Sequence, residues 1–204
     1  ALREVSASHG EIPSRKGYPG YMYSDLASIY ERAGRIIGRE GSITQMPILS
    51  MPNDDITHPI PDLSGYITEG QIVLDRELQR RNIFPPVKLL PSLSRLMSDG
   101  IGDGLTDRDH PTFAQQLYAV YAQARRIRLL SSVVGEEGLS EADRKVLRCG
   151  DEMDTQLIQQ QDRRRDLEET MEIGWKLLAQ LPDEALSRLS DAQIERNILP
   201  LRDA

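Results

Sequence analysis

The pattern of apolar residues changes near residue 105, and this change limits the possible folds more than any other feature of the 204-residue chain. Before it, proline and glycine are frequent, and short apolar runs alternate with turns. A helical pattern follows Ser24, and three apolar runs are predicted as strands, at residues 42–50, 71–74 and 87–90. A helix that alternates with short apolar strands is typical of an α/β domain with a largely buried sheet. Three strands are few for such a sheet, so we expect further strands to precede Ala1.

The second half of the chain has a helical pattern. Pro111 suits a first helical turn, and Ser140 with Asp143 resembles a capping box at the start of another helix. These patterns predict a small helical bundle. Its expected core residues follow helical spacing in three stripes: Phe113, Leu117, Val120, Tyr121 and Ala124; Val146, Cys149, Met153 and Leu157; and Leu167, Met171, Trp175 and Leu178.

The last part of the bundle is predicted from weaker signals. Pro182 ends the third stripe, and residues 183–189 fit a short fourth helix. The arginine run at 163–165 is favoured as a solvated helix start over a binding patch. The two patterns together predict two domains, at residues 1–109 and 110–204.

Charge and cysteine content argue against several classes of partner. The chain has 25 basic and 32 acidic residues, and its net charge of -7 argues against nucleic acid or an anionic membrane surface as the main partner. Cys149 is the only cysteine, which excludes an internal disulfide framework and favours a reducing compartment. We expect its thiol to be buried in the bundle. No run of about 18 apolar residues is present, so we predict no insertion into a membrane.

Arg95 is the strongest candidate for chemistry from local features. It ends a small-residue turn, residues 91–95, that follows the third predicted strand, and its planar charged fork suits phosphate oxygens. The chain has no G-x-x-x-x-G-K-[ST] phosphate loop, so Arg95 would serve a site built by another chain or by a segment outside this one. The alternative is a surface ion pair of little energetic value. Ser92 and Ser94 lie in the same turn, but no base is assigned near them, so neither is favoured as a nucleophile.

A second group of polar residues lies between the first two predicted strands. Asn53, Asp54, Asp55, His58 and Asp62 could hold a hard cation such as Mg²⁺. A turn in which the Asn and Asp side chains bind their own backbone is the favoured interpretation. Zinc is not expected, because none of the histidines has a second His or Cys at ligand spacing: His9, His58 and His110.

Five blocks in order over the first 110 residues resemble one known family. The blocks lie at residues 18–34, 41–45, 51–72, 85–87 and 91–97. They resemble the B subunits of the V-type and A-type rotary ATPases. Residues 134–143 and 173–178 extend the resemblance into the predicted bundle. The fold that this implies is the C-terminal half of a phosphate-loop-NTPase-like α/β domain with a mostly parallel sheet, followed by an all-α helical bundle.

The resemblance implies a role in a larger assembly. In this family, catalytic A subunits alternate with non-catalytic, regulatory B subunits in a head that couples ATP synthesis or hydrolysis to proton or sodium transport. Arg95 matches by motif the arginine that B contributes to the nucleotide held by A, an arginine finger acting in trans. ATP or ADP would lie at the A–B interface, with Mg²⁺ held mainly by A. No cofactor is expected on this chain alone.

The resemblance also implies two further sites. Phe84 and Pro85, with Ser94, would lie at the degenerate nucleotide site of B itself. The acidic loop would face the central stalk subunits, through Glu136, Glu137, Glu141 and Asp143. The implied location is cytoplasmic, at the periphery of the membrane.

The sequence departs from the family pattern at a few positions. Lys88 stands four residues before Ser92, where an acidic or amide residue is usual, and His9 and Gly10 also differ. An independent ATPase is disfavoured, because the chain has no cradle for ATP. The alternative function is a stand-alone helical interaction module with a remnant α/β domain and no role in ATP turnover.

Overall fold

The computed structural model describes residues 2–203. The chain divides into two compact units, Ala1–Gln71 and Ile72–Ala204. This division concerns compactness alone, and the domain boundary expected between residues 109 and 110 stays a prediction.

The first unit contains short helices joined by extended chain. Its elements are α1 (Leu2–Ser8), α2 (Met22–Tyr30), α3 (Pro59–Ile67), the short strand β1 (Gly70–Gln71) and 3₁₀ turns at Arg15–Gly17 and Pro52–Asp54. The helix predicted after Ser24 is confirmed, but it begins two residues earlier, at Met22. Pro59 occupies the first turn of α3, and His58 Nδ1 accepts a hydrogen bond from the Ile60 N–H at 3.4 Å, which caps the helix.

The strand predicted at residues 42–50 does not form. Every residue from 31 to 50 is exposed, and one antiparallel bridge joins Gly34 to Ile43 through N–H···O bonds of 2.8 and 2.9 Å. A buried strand needs hydrogen-bonding neighbours on its sheet. No such neighbours for residues 44–50 lie within the part of the chain that the structure describes, so the apolar pattern alone does not produce a strand here.

The other two predicted strands are shorter than expected. β1 covers Gly70–Gln71 only, and Leu74 forms an isolated antiparallel bridge with Val87. Residues 88–90 do not form a strand: the chain turns at residues 89–91, and the next strand, β2, is Leu93–Ser94.

The second unit is mainly helical. Its helix α6 spans 25 residues, which corresponds to about 37 Å. The elements in chain order are α4 (Arg76–Arg80), β2, α5 (Met97–Gly100), α6 (His110–Val134), α7 (Glu141–Glu152), a π-helix (Met153–Ile158), α8 (Leu167–Ala179), α9 (Asp191–Asn197) and α10 (Leu199–Arg202), with 3₁₀ turns at Glu136–Gly138 and Asp183–Ala185.

The predicted stripes form the core of the second unit. All five stripe residues of α6 are buried, and Phe113 packs on Trp175 with 4.7 Å between ring centroids. Burial raises the pKa of the Cys149 thiol to about 12, as expected for a cysteine inside the bundle. Two stripe residues differ: Leu157 is partly buried, and Leu167, the first residue of α8, is exposed.

Two local predictions in the bundle need correction, and a third is confirmed. The segment after Glu152 continues as a π-helix rather than an α-helix. Residues 183–189 contain one 3₁₀ turn, and the next α-helix begins later, at Asp191, where Ser190 and Gln193 form a capping box. Ser140 does cap α7, since its hydroxyl oxygen accepts from the Asp143 N–H at 3.1 Å.

The arginine run at 163–165 precedes helix α8 rather than starting it. Asp166 is the N-cap of α8, because its carboxylate accepts from the Glu169 N–H at 2.8 Å. Arg165 is not simply solvated: its guanidinium donates to the carbonyl oxygens of Gln156, at 2.9 Å, and Leu157. These carbonyls lie in the π-helix, so this arginine joins the segment before α8 to the π-helix.

Candidate functional site

Arg95 lies directly after β2, and hydrogen bonds of Ser92 hold the segment just before it. The Ser92 hydroxyl accepts a hydrogen bond from the Val73 N–H at 2.9 Å and donates one to the Lys88 carbonyl at 2.6 Å. Both partners belong to the backbone of the same compact unit. The Arg95 side chain is exposed. A single serine therefore holds the turn, while the guanidinium lies at the surface.

Lys88 forms an ion pair within this segment. Its Nζ lies 3.2 Å from Asp75 Oδ2, and its N–H donates to the Val73 carbonyl at 2.8 Å. Burial acts to raise the pKa of Asp75, but hydrogen bonds from the Glu77 N–H and Lys88 outweigh it, and the pKa is lowered. The positive charge of Lys88, which departs from the family pattern, is therefore paired with the carboxylate of Asp75 in the same unit.

Phe84 has a fixed backbone and an exposed ring. Its N–H donates to Gln159 Oε1 at 2.7 Å, and its carbonyl accepts from the N–H groups of Gln160 and Gln161 at 2.8 and 3.0 Å. The side chain is 52% exposed, and Pro85 beside it is half-buried. An aromatic face of this kind can stack on a planar ring. Ser94 is exposed in β2, next to Arg95, whereas Phe84 is anchored to the residues that follow the π-helix.

Asp154 is a buried carboxylate that binds Arg81, three residues before Phe84. Its side chain is fully buried and accepts from Arg81 at 2.8 Å, from the Tyr121 hydroxyl at 2.7 Å and from Arg125 at 3.0 Å. The Arg125 guanidinium also lies over the Tyr121 ring, 4.8 Å from its centroid. Burial and the adjacent Asp154 raise the pKa of Tyr121 to about 12, although Arg125 acts in the opposite direction.

This cluster was not predicted from the sequence. Asp154 follows Met153 of the second stripe directly, so a carboxylate next to a core position was the available signal. A buried carboxylate requires a charged or hydrogen-bonding partner. Its partner Arg81 is far away in sequence, and no local pattern identifies it.

A second buried carboxylate, Asp109, lies at the start of α6. Arg196 donates to its Oδ2 at 2.7 Å, Asn197 at 2.8 Å, and Gln193 donates to its Oδ1 at 3.0 Å. Burial acts to raise the pKa of Asp109, but these three hydrogen bonds and the charge of Arg196 lower it. All three partners belong to α9, so this cluster joins α9 to α6.

The acidic loop comprises the 3₁₀ turn Glu136–Gly138 and the start of α7. Glu137 and Glu141 are exposed, Asp143 is half-buried, and the side chain of Glu136 lies outside the described part of the structure. Glu141 pairs with Lys145 at 3.5 Å, and Asp143 accepts from the Ser140 hydroxyl at 2.7 Å.

The structure does not bring the acidic loop and Arg95 together. The Tyr118 hydroxyl donates to the Leu90 carbonyl at 2.9 Å, which places the turn before Arg95 along the first half of α6. The acidic loop follows the far end of that helix, roughly 24 Å further along its axis. They are two separate sites on one helical unit.

The polar residues at 53–62 have the contacts of a turn. The Asp55 carboxylate accepts from the Thr57 N–H at 2.9 Å, from the Thr57 hydroxyl at 2.6 Å and from Lys16 at 2.7 Å. The hydrogen bond from Lys16 is the main cause of its lowered pKa. Asp62 pairs with Arg15 at 3.2 Å. Within residues 2–203 no group of three or more His, Cys, Asp or Glu side chains is arranged to hold a metal ion.

Among the described residues, none of the helices combines the length and the apolar character that crossing a bilayer requires.

Two family models match the chain in succession. The nucleotide-binding domain of the ATP synthase alpha/beta family matches residues 1–94, and the C-terminal domain of V and A type ATP synthase matches residues 99–198. The chain therefore contains part of an ATP synthase nucleotide-binding domain followed by a C-terminal domain.

Individual relatives agree with these models. The chain is 62% identical over 197 residues to the B subunit of the A-type ATP synthase of Methanopyrus kandleri, covering 96% of this chain and 20% of that protein. It is 60% identical over 195 residues to the V-type ATP synthase beta chain of an Anaeromyxobacter species, covering 96% of this chain and 42% of that protein.

A solved structure is also similar. The ATP synthase subunit NeqB from Nanoarcheaum equitans superposes with a TM-score of 0.76 at 45% identity, covering 89% of this chain and 45% of that one. The chain thus spans less than half the length of the relatives it matches. The resemblance predicted from the sequence blocks is confirmed, and the chain belongs to the family of B subunits of A-type and V-type ATP synthases.

Proposed function

We propose that the chain is part of a non-catalytic, regulatory B subunit in the head of a V/A-type ATP synthase or ATPase, where Arg95 completes a nucleotide site on an adjacent catalytic A subunit. The observation that carries this proposal is the exposed position of Arg95 after β2, on a turn held by Ser92. The A subunit supplies the phosphate loop that this chain lacks, and it holds most of the ligands of Mg²⁺.

The chemistry of phosphoryl transfer explains why one arginine matters. Charge develops on the phosphoryl oxygens in the transition state, and a guanidinium placed there stabilises it without any covalent step. Such an arginine changes the rate by roughly 10³–10⁵-fold, or about 4–7 kcal/mol at 1.36 kcal/mol per tenfold. Turnover in the head would then drive, or be driven by, proton or sodium transport.

The exposed apolar chain in the first unit supports the proposed parent fold. Residues 31–50 are all exposed and include Ile36, Ile37, Met46 and Ile48. Exposed apolar residues in this number mark a surface that another part of a protein covers. We infer that they belong to the C-terminal half of a phosphate-loop-type domain with a mostly parallel sheet, whose other strands cover them.

Two further roles follow from the exposed positions. The ring of Phe84, with Pro85 and Ser94 nearby in sequence, would contact a nucleotide at the degenerate site of B. The exposed carboxylates of Glu137 and Glu141, with Glu136 and the half-buried Asp143, would face basic groups of the central stalk. The complex would lie on the cytoplasmic side, peripheral to the membrane.

The proposal is tested in a head reconstituted from full-length B subunits and A subunits. Arg95→Ala is expected to lower ATP turnover by roughly 10³–10⁵-fold while leaving assembly intact. Lys88→Ala removes a nearby positive charge that pairs with Asp75, and it is the matched control, with turnover expected to change less than about threefold. Normal turnover by an assembled Arg95→Ala head would contradict the proposal and favour an interaction module with no role in ATP turnover.

A further inference from the structure

The π-helix Met153–Ile158 and the residues just after it contact the segment at residues 81–84 at two points. Asp154 accepts from Arg81 at 2.8 Å, and the Gln159 side chain accepts from the Phe84 N–H at 2.7 Å. The N–H groups of Gln160 and Gln161 add two further bonds to the Phe84 carbonyl. Single-turn π-helices are rare and frequently occur at functional sites.

The contact at Asp154 is directional and charged. The carboxylate is fully buried, and Arg81, Arg125 and Tyr121 all donate to it. A buried ion cluster gives little net stability compared with apolar packing of the same volume. It does fix the relative positions of its members, because each hydrogen bond has a narrow range of length and angle.

A continuous series of bonds leads from this cluster to the turn before Arg95. Residues 81–84 continue into Pro86, whose carbonyl accepts from the Asp75 N–H at 2.9 Å. Two residues before Asp75, Val73 accepts from the Lys88 N–H at 2.8 Å and donates its own N–H to the Ser92 hydroxyl at 2.9 Å. Ser92 lies three residues before Arg95, so a shift at residues 81–84 would displace the arginine.

From this series of contacts we propose that Asp154 is a positioning residue, which sets the place of Arg95 through Arg81 and the segment at residues 72–95. The inference rests on the proposed role of Arg95 and deepens it. Asp154 touches no reacting atom: it acts on the distance and angle at which the guanidinium meets the phosphoryl group. A misplacement of about 1 Å in such a site costs on the order of 10²-fold in rate.

The chain contains a matched control for this proposal. Asp109 is also a buried carboxylate bound by an arginine, and its three side-chain donors, Arg196, Gln193 and Asn197, all lie in α9 rather than in the segment at residues 72–95. Loss of either charge should weaken the fold to a similar extent. Of the side-chain donors described for these two carboxylates, Arg81 is the one that lies in the segment leading to Arg95, and it binds Asp154.

The test uses heads reconstituted with full-length B subunits that carry Asp154→Asn or Asp109→Asn. For Asp154→Asn we expect kcat to fall by roughly 10–100-fold with KM changed less than about twofold. For Asp109→Asn we expect a similar fall in the melting temperature of the B subunit and kcat within about twofold of the unmodified head. Equal losses of kcat in the two variants would overturn the inference, because they would reflect general destabilisation.

A double-variant cycle tests whether Asp154 changes the rate through Arg95. Asp154→Asn should change the single-turnover rate less than about twofold when Arg95→Ala is already present, because the residue acts through that arginine. If Asp154→Asn lowers the single-turnover rate by the same factor with and without Arg95→Ala, the inference is overturned, while the role of Arg95 stays intact. If Arg95→Ala alone has normal turnover, the proposed function itself fails.

A milder variant covers the case in which Asp154→Asn does not assemble. Gln159→Ala removes one hydrogen bond to Phe84 and leaves the buried charges in place. We expect a fall in kcat of about threefold to tenfold with KM unchanged, which again disappears in the Arg95→Ala background. An unchanged kcat in assembled Gln159→Ala heads would overturn the inference.

Discussion

The two compact units of this chain differ in what their sequences encode. Residues 1–71 contain the longest blocks that identify the family, yet among the described residues of that unit Met22 is the only buried apolar side chain apart from two prolines. Residues 72–204 are less distinctive in sequence, but they form a continuous core from Leu78 to Ile198. A segment can therefore be recognisable in sequence without forming a core of its own, whereas the core of residues 72–204 follows a more general helical pattern.

Separate expression of the two units should show the largest difference between them. We expect residues 72–204 to unfold in one cooperative thermal transition, because the core lies within that unit, and residues 1–71 to show none, because too little apolar surface is buried. Circular dichroism against temperature measures both. A cooperative transition in residues 1–71 alone would show that the first unit is also self-supporting.

Truncation of one apolar side chain in each unit gives a smaller effect. Leu178 is 0% exposed, so Leu178→Ala should lower the free energy of unfolding by about 2–5 kcal/mol in urea titrations. Ile37 is fully exposed, and Ile37→Ala should leave that free energy unchanged. A large loss for Ile37→Ala would mean that residues 31–50 are packed within this chain.

Acid titration of one carboxylate in each unit gives the smallest effect. Asp109 has a lower pKa in the folded protein than its unfolded value of about 3.9. Its ionised carboxylate therefore stabilises the fold above that pH, and this stabilisation is lost as the pH falls through the folded pKa. Asp109→Asn should therefore cost about 1–3 kcal/mol at pH 7, and the difference should shrink below about pH 5.

The matched carboxylate in the first unit is Asp55. Its pKa is also lowered, but it lies at the surface, partly exposed, and binds Lys16 and Thr57, so Asp55→Asn should change the urea midpoint very little. A penalty for Asp109→Asn that is the same at pH 3 as at pH 7 would contradict the assigned cause.

The sequence predicted the helical unit well and the sheet poorly, for a physical reason. Burial along α6 repeats with the helical period, so Phe113, Leu117 and Tyr121 could be assigned to the core from spacing alone. A strand depends on neighbours that are distant in sequence, and residues 42–50 have an apolar pattern without such neighbours here. Propensity could not reveal that difference.

The candidate site was predictable only in part. The serine-containing segment that ends at Arg95 was identified from the local sequence, but the strand predicted before it was wrong, because β2 forms later, at Leu93–Ser94. The structure adds the two hydrogen bonds of Ser92. The Asp154 cluster was not predictable, because Arg81 and Asp154 meet through folding across 73 positions and neither has a local signature. The π-helix that presents Asp154 likewise has no pattern distinct from that of an α-helix.

The central claim, that Arg95 stabilises the transition state of a reaction at a partner's site, is tested most directly by binding of a transition-state analogue. Heads with unmodified B subunits and with Arg95→Ala would be titrated with ADP–aluminium fluoride and, separately, with ADP. The account predicts that Arg95→Ala weakens binding of the analogue by at least about 10³-fold and changes binding of ADP less than about threefold. Equal binding of the analogue by both heads would contradict it.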